Sequence, residues 1–552
     1  MSSHAIPRPE ASTSEATATL VAALDRTLET VIAKGSARTN QGKDIDGHQP
    51  QAERIAYFAT EVRTAKCLAE YAAGEGSSEP HIEDMALMFA AEMASKAAGQ
   101  LDAHADDLGI APSFIDETLA TPAVRAAIRA GMSDVRVTAI GRHMLETKGV
   151  NNSPLEELSA MTRDTVRQFA ASEVAPIAEH IHRHDDLVPD ALINKMGELG
   201  FFGMAVPEAY GGGGMGNLVM IVTTEELSAV SLAGAGSLIT RPEILTKALL
   251  KGGTDQQKAQ WLPPIAAGKI MVGVSVTEPD TGSDVASLSC RAEPAERDGR
   301  RGWVVNGAKA WCTFAGRANV LALLARTDPN PQLGAKGLSM FIVPKDAFPG
   351  HAFEMKQPSG GILTGKADAT PGYRGMHSYT LMFDNYFVPD ENLIGEAGGR
   401  GKGFYMQMAG FAAGRLQTGG RATGLAQAAL QRTCEYAVDR KQFGKPIGQY
   451  GLTQYKLGRM AAHIMASRQL TYAAARAVDE DETISLEPAM AKLYSSDVAV
   501  WVTQEGQQLH GGWGYAEEFA ISRYVVDATV LPIFEGVKPI LELKVIARNL
   551  LS

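Results

Sequence analysis

Between Ile270 and about residue 390 the chain drops the three- and four-residue spacing of apolar side chains that governs the rest of it. In its place stand short β-branched and aromatic runs: Met271-Val272-Gly273-Val274-Ser275-Val276, Gly302-Trp303-Val304-Val305, Val320-Leu321-Ala322-Leu323-Leu324 and Ser339-Met340-Phe341-Ile342-Val343. Gly, Asp and Pro separate them, and runs of this kind read as strands. Helical spacing on both sides predicts an α+β multidomain chain with a β module held between helical regions. The expected bounds are 154–269 for a helical domain, 270–392 for a middle β domain and 398–552 for a carboxyl-terminal helical region.

A further helical region precedes these. Over 21–148 Ala, Leu and Met recur at helical steps with few β-branched clusters, and Val150-Asn151-Asn152-Ser153-Pro154 marks a linker. Residues 1–20, rich in Ser, Thr, Ala, Glu and Pro, read as a disordered leader. The extra region echoes the tail: Met490–Ala499 lines up without gaps on Met85–Ala94, and Leu457, Ala461, Ile464, Arg468 and Leu470 fall on Ile55, Ala59, Val62, Lys66 and Leu68. Near the end, Phe534-Glu535-Gly536 falls on Arg129-Ala130-Gly131, and Gly512 and Trp513 fall on Asp107 and Leu108. Residues 21–148 therefore read as a degenerate copy of the carboxyl-terminal region, without its carboxylate and glycines. Chance likeness between alanine-rich amphipathic helices stays open as the other reading.

At about 150 residues per domain, 552 residues make three or four domains. A hydrophobic fraction of 45% with 21% charged residues is that of a soluble globular chain. The net charge of −11 offers no footprint for nucleic acid, and no apolar run approaches a membrane span. Glu10 and Glu15 interrupt the first twenty residues, which lack the apolar core of a secretory signal. Cys67, Cys290, Cys312 and Cys434 are too dispersed for a disulfide framework or a CxxC site. Buried structural thiols, no metal and a cytoplasmic location are the expectations.

Four segments carry chemistry. Val276-Thr277-Glu278-Pro279-Asp280-Thr281-Gly282-Ser283-Asp284 lets backbone N–H groups and the Thr277 and Ser283 hydroxyls approach a polar ligand; a plain surface turn is the alternative. Trp311-Cys312-Thr313 sets a flat aromatic beside a hydroxyl, able to cover a planar ring and bond its edge, although a core tryptophan reads the same way. Asp439-Arg440-Lys441-Gln442-Phe443-Gly444-Lys445 puts three cations around a glycine, an anion clamp or a solvated helix end. Gln508-Leu509-His510-Gly511-Gly512-Trp513-Gly514-Tyr515 has paired glycines where a ligand comes close to the backbone, with His510 itself packed or on the surface.

Together with Ile533-Phe534-Glu535-Gly536, these segments in this order resemble the acyl-CoA dehydrogenase family over roughly 154–552. The resemblance implies a helical domain, a middle β-sandwich or barrel and a carboxyl-terminal four-helix bundle, here with an extra amino-terminal helical domain. It implies FAD as cofactor, an acyl-CoA substrate oxidised to the trans-2-enoyl thioester, and an electron-transferring flavoprotein as partner. Glu535 matches the catalytic base, which takes the α proton as hydride leaves the β carbon for flavin N5. Its apolar approach, Val530-Leu531-Pro532-Ile533-Phe534, desolvates the carboxylate and independently suits a base. Some members carry the base at the position matching Gly414, which cannot serve. Thr277, Ser283, Trp311 and Thr313 match flavin contacts, with Ser283 also toward substrate. Arg440, Phe443, Gln508, Gly511 and Gly512 match contacts to the FAD of a neighbouring subunit, and Arg415 resembles a residue near the CoA phosphates.

Two departures stand out. The usual Thr-Ser after Glu-Gly is replaced by Val537-Lys538, which puts one FAD contact in doubt and offers Lys538 as an anion contact. The turn-rich stretch 357–374 is long, either a surface excursion or a lid near the site. A helical extension before the core resembles members that convert (2S)-methylsuccinyl-CoA to mesaconyl-CoA in the ethylmalonyl-CoA route. A substrate with a free carboxylate needs a cation in its pocket. Arg241 is the candidate, with Arg374 and His377 in reserve. Because tetrameric relatives pack carboxyl-terminal bundles together, a built-in extra bundle implies a homodimer. Another short or branched acyl-CoA as substrate, an acyl-CoA oxidase and a silent FAD-binding scaffold are the alternatives.

Overall fold

The structure, a computed structural model, describes residues 12–151 and 153–552. Most of the expected leader thus lies outside the described residues, but its last part does not, and there the expectation is corrected: a helix begins at Thr13 and runs to Arg38. Ser12 Oγ accepts from the Glu15 N–H at 3.2 Å while Glu15 Oε2 accepts from the Ser12 N–H at 2.9 Å. This reciprocal cap satisfies two amides that the helix leaves open, and buried Leu20 and Leu24 anchor one face. Ser, Thr and Glu are the residues of a cap as much as of a disordered segment, which is why composition misled.

Helices Gln49–Ala73 and Pro80–Ala103 follow, then shorter Pro122–Gly131 and Asp134–Glu146. The carboxyl-terminal region repeats that sequence of lengths with Gly403–Asp439, Gly451–Glu480 and Leu486–His510, then the shorter Ala520–Ala528 and an irregular closing stretch from Lys538 to Leu551. The second long helices, Gln49–Ala73 and Gly451–Glu480, pack on each other. Each region's closing helix packs on the other region: Asp134–Glu146 lies on Gly451–Glu480, and Leu541–Ala547 on Gln49–Ala73. The first crossing brings backbone against backbone. A Cβ added at Gly141 would stand 1.8 Å from the Gln454 carbonyl oxygen, and one at Gly458 would stand 2.1 Å from that of Val137. Beyond the second crossing, Ser36 Oγ of the Thr13–Arg38 helix donates to the Leu551 carbonyl at 2.7 Å. The linker is tied down as well, Arg468 Nη1 donating to the Asn151 carbonyl at 2.9 Å and Asn151 Nδ2 to that of Ala461 at 3.1 Å.

The middle unit is one eight-stranded sheet built from β1 (Val272–Ser275), β2 (Arg291–Arg297), β3 (Arg300–Thr313), β4 (Val320–Arg326), β5 (Leu338–Pro344), β6 (Ala352–Lys356), β7 (Ile362–Ala367) and β8 (Ser378–Pro389). The order is β1-β4-β2-β3-β8-β7-β6, with β5 on the free side of β4. β4 is parallel to β1 and β2 and antiparallel to β5. Its unbroken apolar run has a physical reason: Val320, Ala322 and Leu324 pack with Leu245, Leu249 and Leu262, while Leu321, Leu323 and Ala325 face the main core. The stretch 357–374 divides. Its first part closes the β6–β7 hairpin, and its end crosses to the Ala520–Ala528 helix, where the Tyr373 N–H donates to Asp527 Oδ1 at 2.7 Å.

Among the described residues no helix is long and apolar enough to cross a membrane. All four cysteines are free and buried, and burial pushes the thiols up, to about 11 at Cys67 and Cys290 and about 12 at Cys312 and Cys434. These are inert structural thiols, as their spacing implied.

Candidate active site

The first two motifs meet although some thirty residues separate them. The Ala310 N–H donates to the Thr277 carbonyl at 2.8 Å, which lays the Val276–Asp284 loop along the end of β3. Glu278 anchors that loop from below by accepting from the Ser289 and Cys290 amides, each at 2.8 Å, and from the fully buried Lys309 ammonium at 2.9 Å. The β3–β8 register shifts between Lys309 and Cys312, and Trp311 takes a φ of 57°. The bulge re-aims the indole, which is 60% exposed rather than part of the core. Thr313 Oγ1 lies 3.0 Å from Ser378 Oγ, and Ser283 is exposed in the adjoining loop.

A second site forms on the carboxyl-terminal region. A cleft of about 620 Å³ gathers Arg440, Gln508, Gly511 and Gly512 with Tyr436 and Trp513. A Cβ at Gly511 or Gly512 would meet nothing within 4 Å, so the cleft opens directly onto backbone. Phe443 does not line it. Lys441–Gln442 and Lys445–Pro446 form a two-stranded hairpin that carries Phe443 at its tip with φ 52° and 96% exposure. His510 is packed, stacked on Tyr436 at 4.3 Å with Nδ1 2.7 Å from the Gly506 carbonyl oxygen. An exposed indole in one place, and a guanidinium lining the same cleft as two bare glycines in the other, fit the flat ring and the pyrophosphate of a dinucleotide.

Glu535 sits half-buried in a left-handed turn, with φ 54° there and 99° at Gly536. Its carboxylate fills the space over Gly414, whose added Cβ would come within 2.7 Å of Glu535 Oε2. Lys492 Nζ donates to the Gly536 carbonyl at 2.7 Å and pins the turn. The apolar approach read from the sequence is only half of the setting. The charges of Lys492, Arg415 and Arg421 all act on Glu535 from other helices. Burial pushes the Lys492 ammonium down to about 7, opposed by the charges of Glu535 and Asp497. The missing side chain at Gly414 is thus what admits the Glu535 carboxylate. Gly414→Ala is expected to lower kcat by roughly ten- to a hundredfold with flavin content unchanged, since displacement by about 1 Å costs that much. Wild-type single-turnover rates in that variant would refute the packing argument.

Arg241 is 4% exposed, with Nη2 donating to Thr240 Oγ1 at 2.9 Å and Nε to the Ser237 carbonyl at 3.3 Å. The sequence reading missed its companion. Arg421, fully buried, donates from Nη1 to Ser237 Oγ at 3.2 Å and from Nη2 to Thr418 Oγ1 at 2.8 Å, with its guanidinium 4.8 Å from the centroid of the Phe534 ring. Among the described residues no carboxylate forms an ion pair with either arginine. Glu243 is near, but burial pushes its carboxyl up, toward the neutral acid, and it accepts from Gln417 Nε2 at 3.1 Å. Tyr373, missed as well, stands edge-on to Phe534 at 5.6 Å, its buried hydroxyl turned toward the Arg421 guanidinium. The end of the 357–374 stretch is therefore a wall of the site. The two reserve cations are corrected: Arg374 Nε and His377 Nε2 lie 3.3 and 3.2 Å from Asp185 Oδ1 and are already matched. Arg415 is half-buried near Glu535, with its Nε buried and unpartnered.

Residues 156–269, 273–386 and 401–551 match the N-terminal, middle and C-terminal domains of acyl-CoA dehydrogenases. The chain belongs to the acyl-CoA dehydrogenase family, and with it to the FAD-dependent oxidoreductases. It is 43% identical to the (2S)-methylsuccinyl-CoA dehydrogenase of Cereibacter sphaeroides over 78% of this chain and 75% of that one. Butyryl-CoA dehydrogenase from Megasphaera elsdenii superposes with a TM-score of 0.65 at 29% identity, covering 73% of this chain and all of that one. A glutaryl-CoA dehydrogenase from Mycobacterium smegmatis in complex with FADH2 gives 0.62 at 26% identity over 71% of this chain and 94% of that one.

Proposed function

We propose that the chain oxidises (2S)-methylsuccinyl-CoA to mesaconyl-CoA as a homodimer, with Glu535 as base and an electron-transferring flavoprotein as electron acceptor. One observation carries the substrate reading: Arg241 and Arg421 are buried, converge on Ser237 and, among the described residues, form no ion pair with a carboxylate, while Arg421 lies close enough to Glu535 to feel its charge. Two unpaired cations in a buried pocket are costly, and a substrate carboxylate between them removes that cost. The 43% identity to a (2S)-methylsuccinyl-CoA dehydrogenase agrees with it.

In this reading the arginines fix the far end of the acyl chain, and that contact sets which carbon lies under Glu535. The carboxylate takes the α proton. Lys492 holds the turn through the Gly536 carbonyl, so the base approaches at a fixed angle. Thr277, Ser283, Trp311 and Thr313 would hold FAD on one side, and Arg440, Phe443, Gln508, Gly511 and Gly512 would hold it from a second copy. Bound FAD supplies the acceptor for the hydrogen leaving the β carbon. Arg415 would take its place toward the CoA phosphates.

The homodimer rests on exposed groups that a monomer does not explain, with Phe443 96% and Tyr515 88% exposed beside the glycine cleft. The extra region, read as a copy of the carboxyl-terminal one, already covers the Gly451–Glu480 helix and leaves that face no room for another dimer. A tetrameric mass in light scattering would count against this. The substrate reading is tested by anaerobic bleaching of the flavin with straight, branched and dicarboxylic acyl-CoAs. Dicarboxylic thioesters are expected to bleach it fastest, and equal rates with plain branched ones would remove the reading. Hydrogen peroxide yield against flavoprotein-linked dye reduction separates a dehydrogenase from an oxidase.

A further inference from the structure

Lys538 stands three residues past Glu535, and its ammonium is engaged by two carboxylates. Nζ lies 2.6 Å from Asp497 Oδ2 and 3.9 Å from Glu542 Oε1. The same Asp497 oxygen accepts a hydrogen bond from the Tyr57 hydroxyl at 2.7 Å. Tyr57 belongs to the Gln49–Ala73 helix of the extra region, 440 positions from Asp497 in sequence. Its ring is held between two ammonium groups, Lys538 at 4.7 Å and Lys96 at 4.9 Å from the centroid. Lys96 in turn pairs with Glu61, a carboxylate only 3% exposed one turn beyond Tyr57. Asp497 shares the Leu486–His510 helix with Lys492, which holds the Gly536 carbonyl. The catalytic turn is therefore gripped at Gly536 by its own bundle and at Lys538 by a partner set that the extra region completes.

We propose that the extra helical region positions the catalytic base, with Tyr57, through Asp497 and Lys538, fixing the turn that carries Glu535. This rests on Glu535 being the base. Glu535 and Gly536 both have positive φ, a conformation that a non-glycine residue keeps only when its surroundings hold it there. A cation–π contact and two charge-assisted hydrogen bonds to one carboxylate oxygen are contacts of that strength. Tyr57, Asp497 and Lys538 are positioning residues and touch no reacting atom. The extra region, which lacks a base and a glycine cleft of its own, thereby acts on the chemistry of the other copy.

The test uses the full-length, FAD-loaded enzyme with Tyr57→Ala, Tyr57→Phe, Asp497→Asn and a control, Lys66→Met, which breaks the Lys66–Asp25 pair of 3.0 Å elsewhere in the extra region. Tyr57→Ala is expected to lower kcat about tenfold or more, with KM within about twofold and flavin content unchanged. The isotope effect on an α-deuterated substrate should rise, because proton abstraction becomes the slow step. Tyr57→Phe, which keeps the ring between its two cations, should recover part of the loss, and Lys66→Met should match wild type. If Tyr57→Ala does not fold, Tyr57→Phe and Asp497→Asn carry the same readouts. An unchanged kcat, or a loss with no change in isotope effect, overturns the proposal. Glu535→Gln measured alongside separates the two failures: turnover persisting there sinks the assignment of the base itself.

Discussion

Glu535→Gln is expected to leave an enzyme that is yellow and able to bind acyl-CoA, yet slower in kcat by about 10²–10⁴-fold. The amide is isosteric with the carboxylate, so the space over Gly414 stays filled and the Lys492 bond to the Gly536 carbonyl is untouched. What disappears is the proposed proton acceptor. Among the nearby groups, Arg415 and Arg421 are donors, Lys492 Nζ is engaged with the Gly536 carbonyl, and burial pushes the Glu243 carboxyl up, toward the neutral acid. The measurement is stopped-flow flavin bleaching with saturating substrate. A spectral shift on binding without bleaching is the expected record, and bleaching at the wild-type rate would mean that another group takes the proton.

The second large effect concerns substrate choice. Arg421→Met removes one of two buried cations, and with it the cation–π contact to Phe534, while keeping most of the volume and an apolar contact with that ring. A dicarboxylic substrate then brings a carboxylate into a pocket that no longer pairs it fully, at about 3–5 kcal/mol, which is on the order of 10²–10⁴-fold in kcat/KM. A plain branched acyl-CoA brings no charge and is expected to lose less than about tenfold, or even to gain, because an uncompensated desolvated guanidinium has gone. Arg241→Ala should show the same asymmetry. Competition assays with the two substrate classes on one preparation read the ratio directly. Equal losses on both would show that the arginines brace the Ser237 region and do not select substrate.

Much of this site was legible because its parts are local. A hydroxyl-rich loop, an aromatic beside a threonine, a paired glycine between helices and a carboxylate before a glycine are each spelled by a few consecutive residues. What the sequence hid are contributions from other elements. Arg421 lies in Gly419-Gly420-Arg421-Ala422, and a lone cation among small residues of a long helix looks like a surface position. Only the crossing with the Ser237 loop encloses it. Tyr373 follows a proline–glycine pair and reads as a turn, because nothing nearby in sequence announces Phe534. The setting of Glu535 was half read for the same reason, since the apolar residues precede it in the chain and the cations do not. The switch from helical to strand spacing at Ile270 marked the sheet, whereas the branching of β4 against β1, β2 and β5 depends on pairings that no local pattern encodes.

The crossing of Ser36 with the Leu551 carbonyl joins residues 515 positions apart. Contacts of such separation form late in folding, because the loop they close must first give up its freedom. The Thr13–Arg38 helix therefore has Gly35 covered by Ile55 alone, without Leu551 beside it, until the stretch around Leu551 has been synthesised. Over that interval the extra region is an incomplete bundle with exposed apolar surface, open to chaperones and to pairing with a second nascent chain.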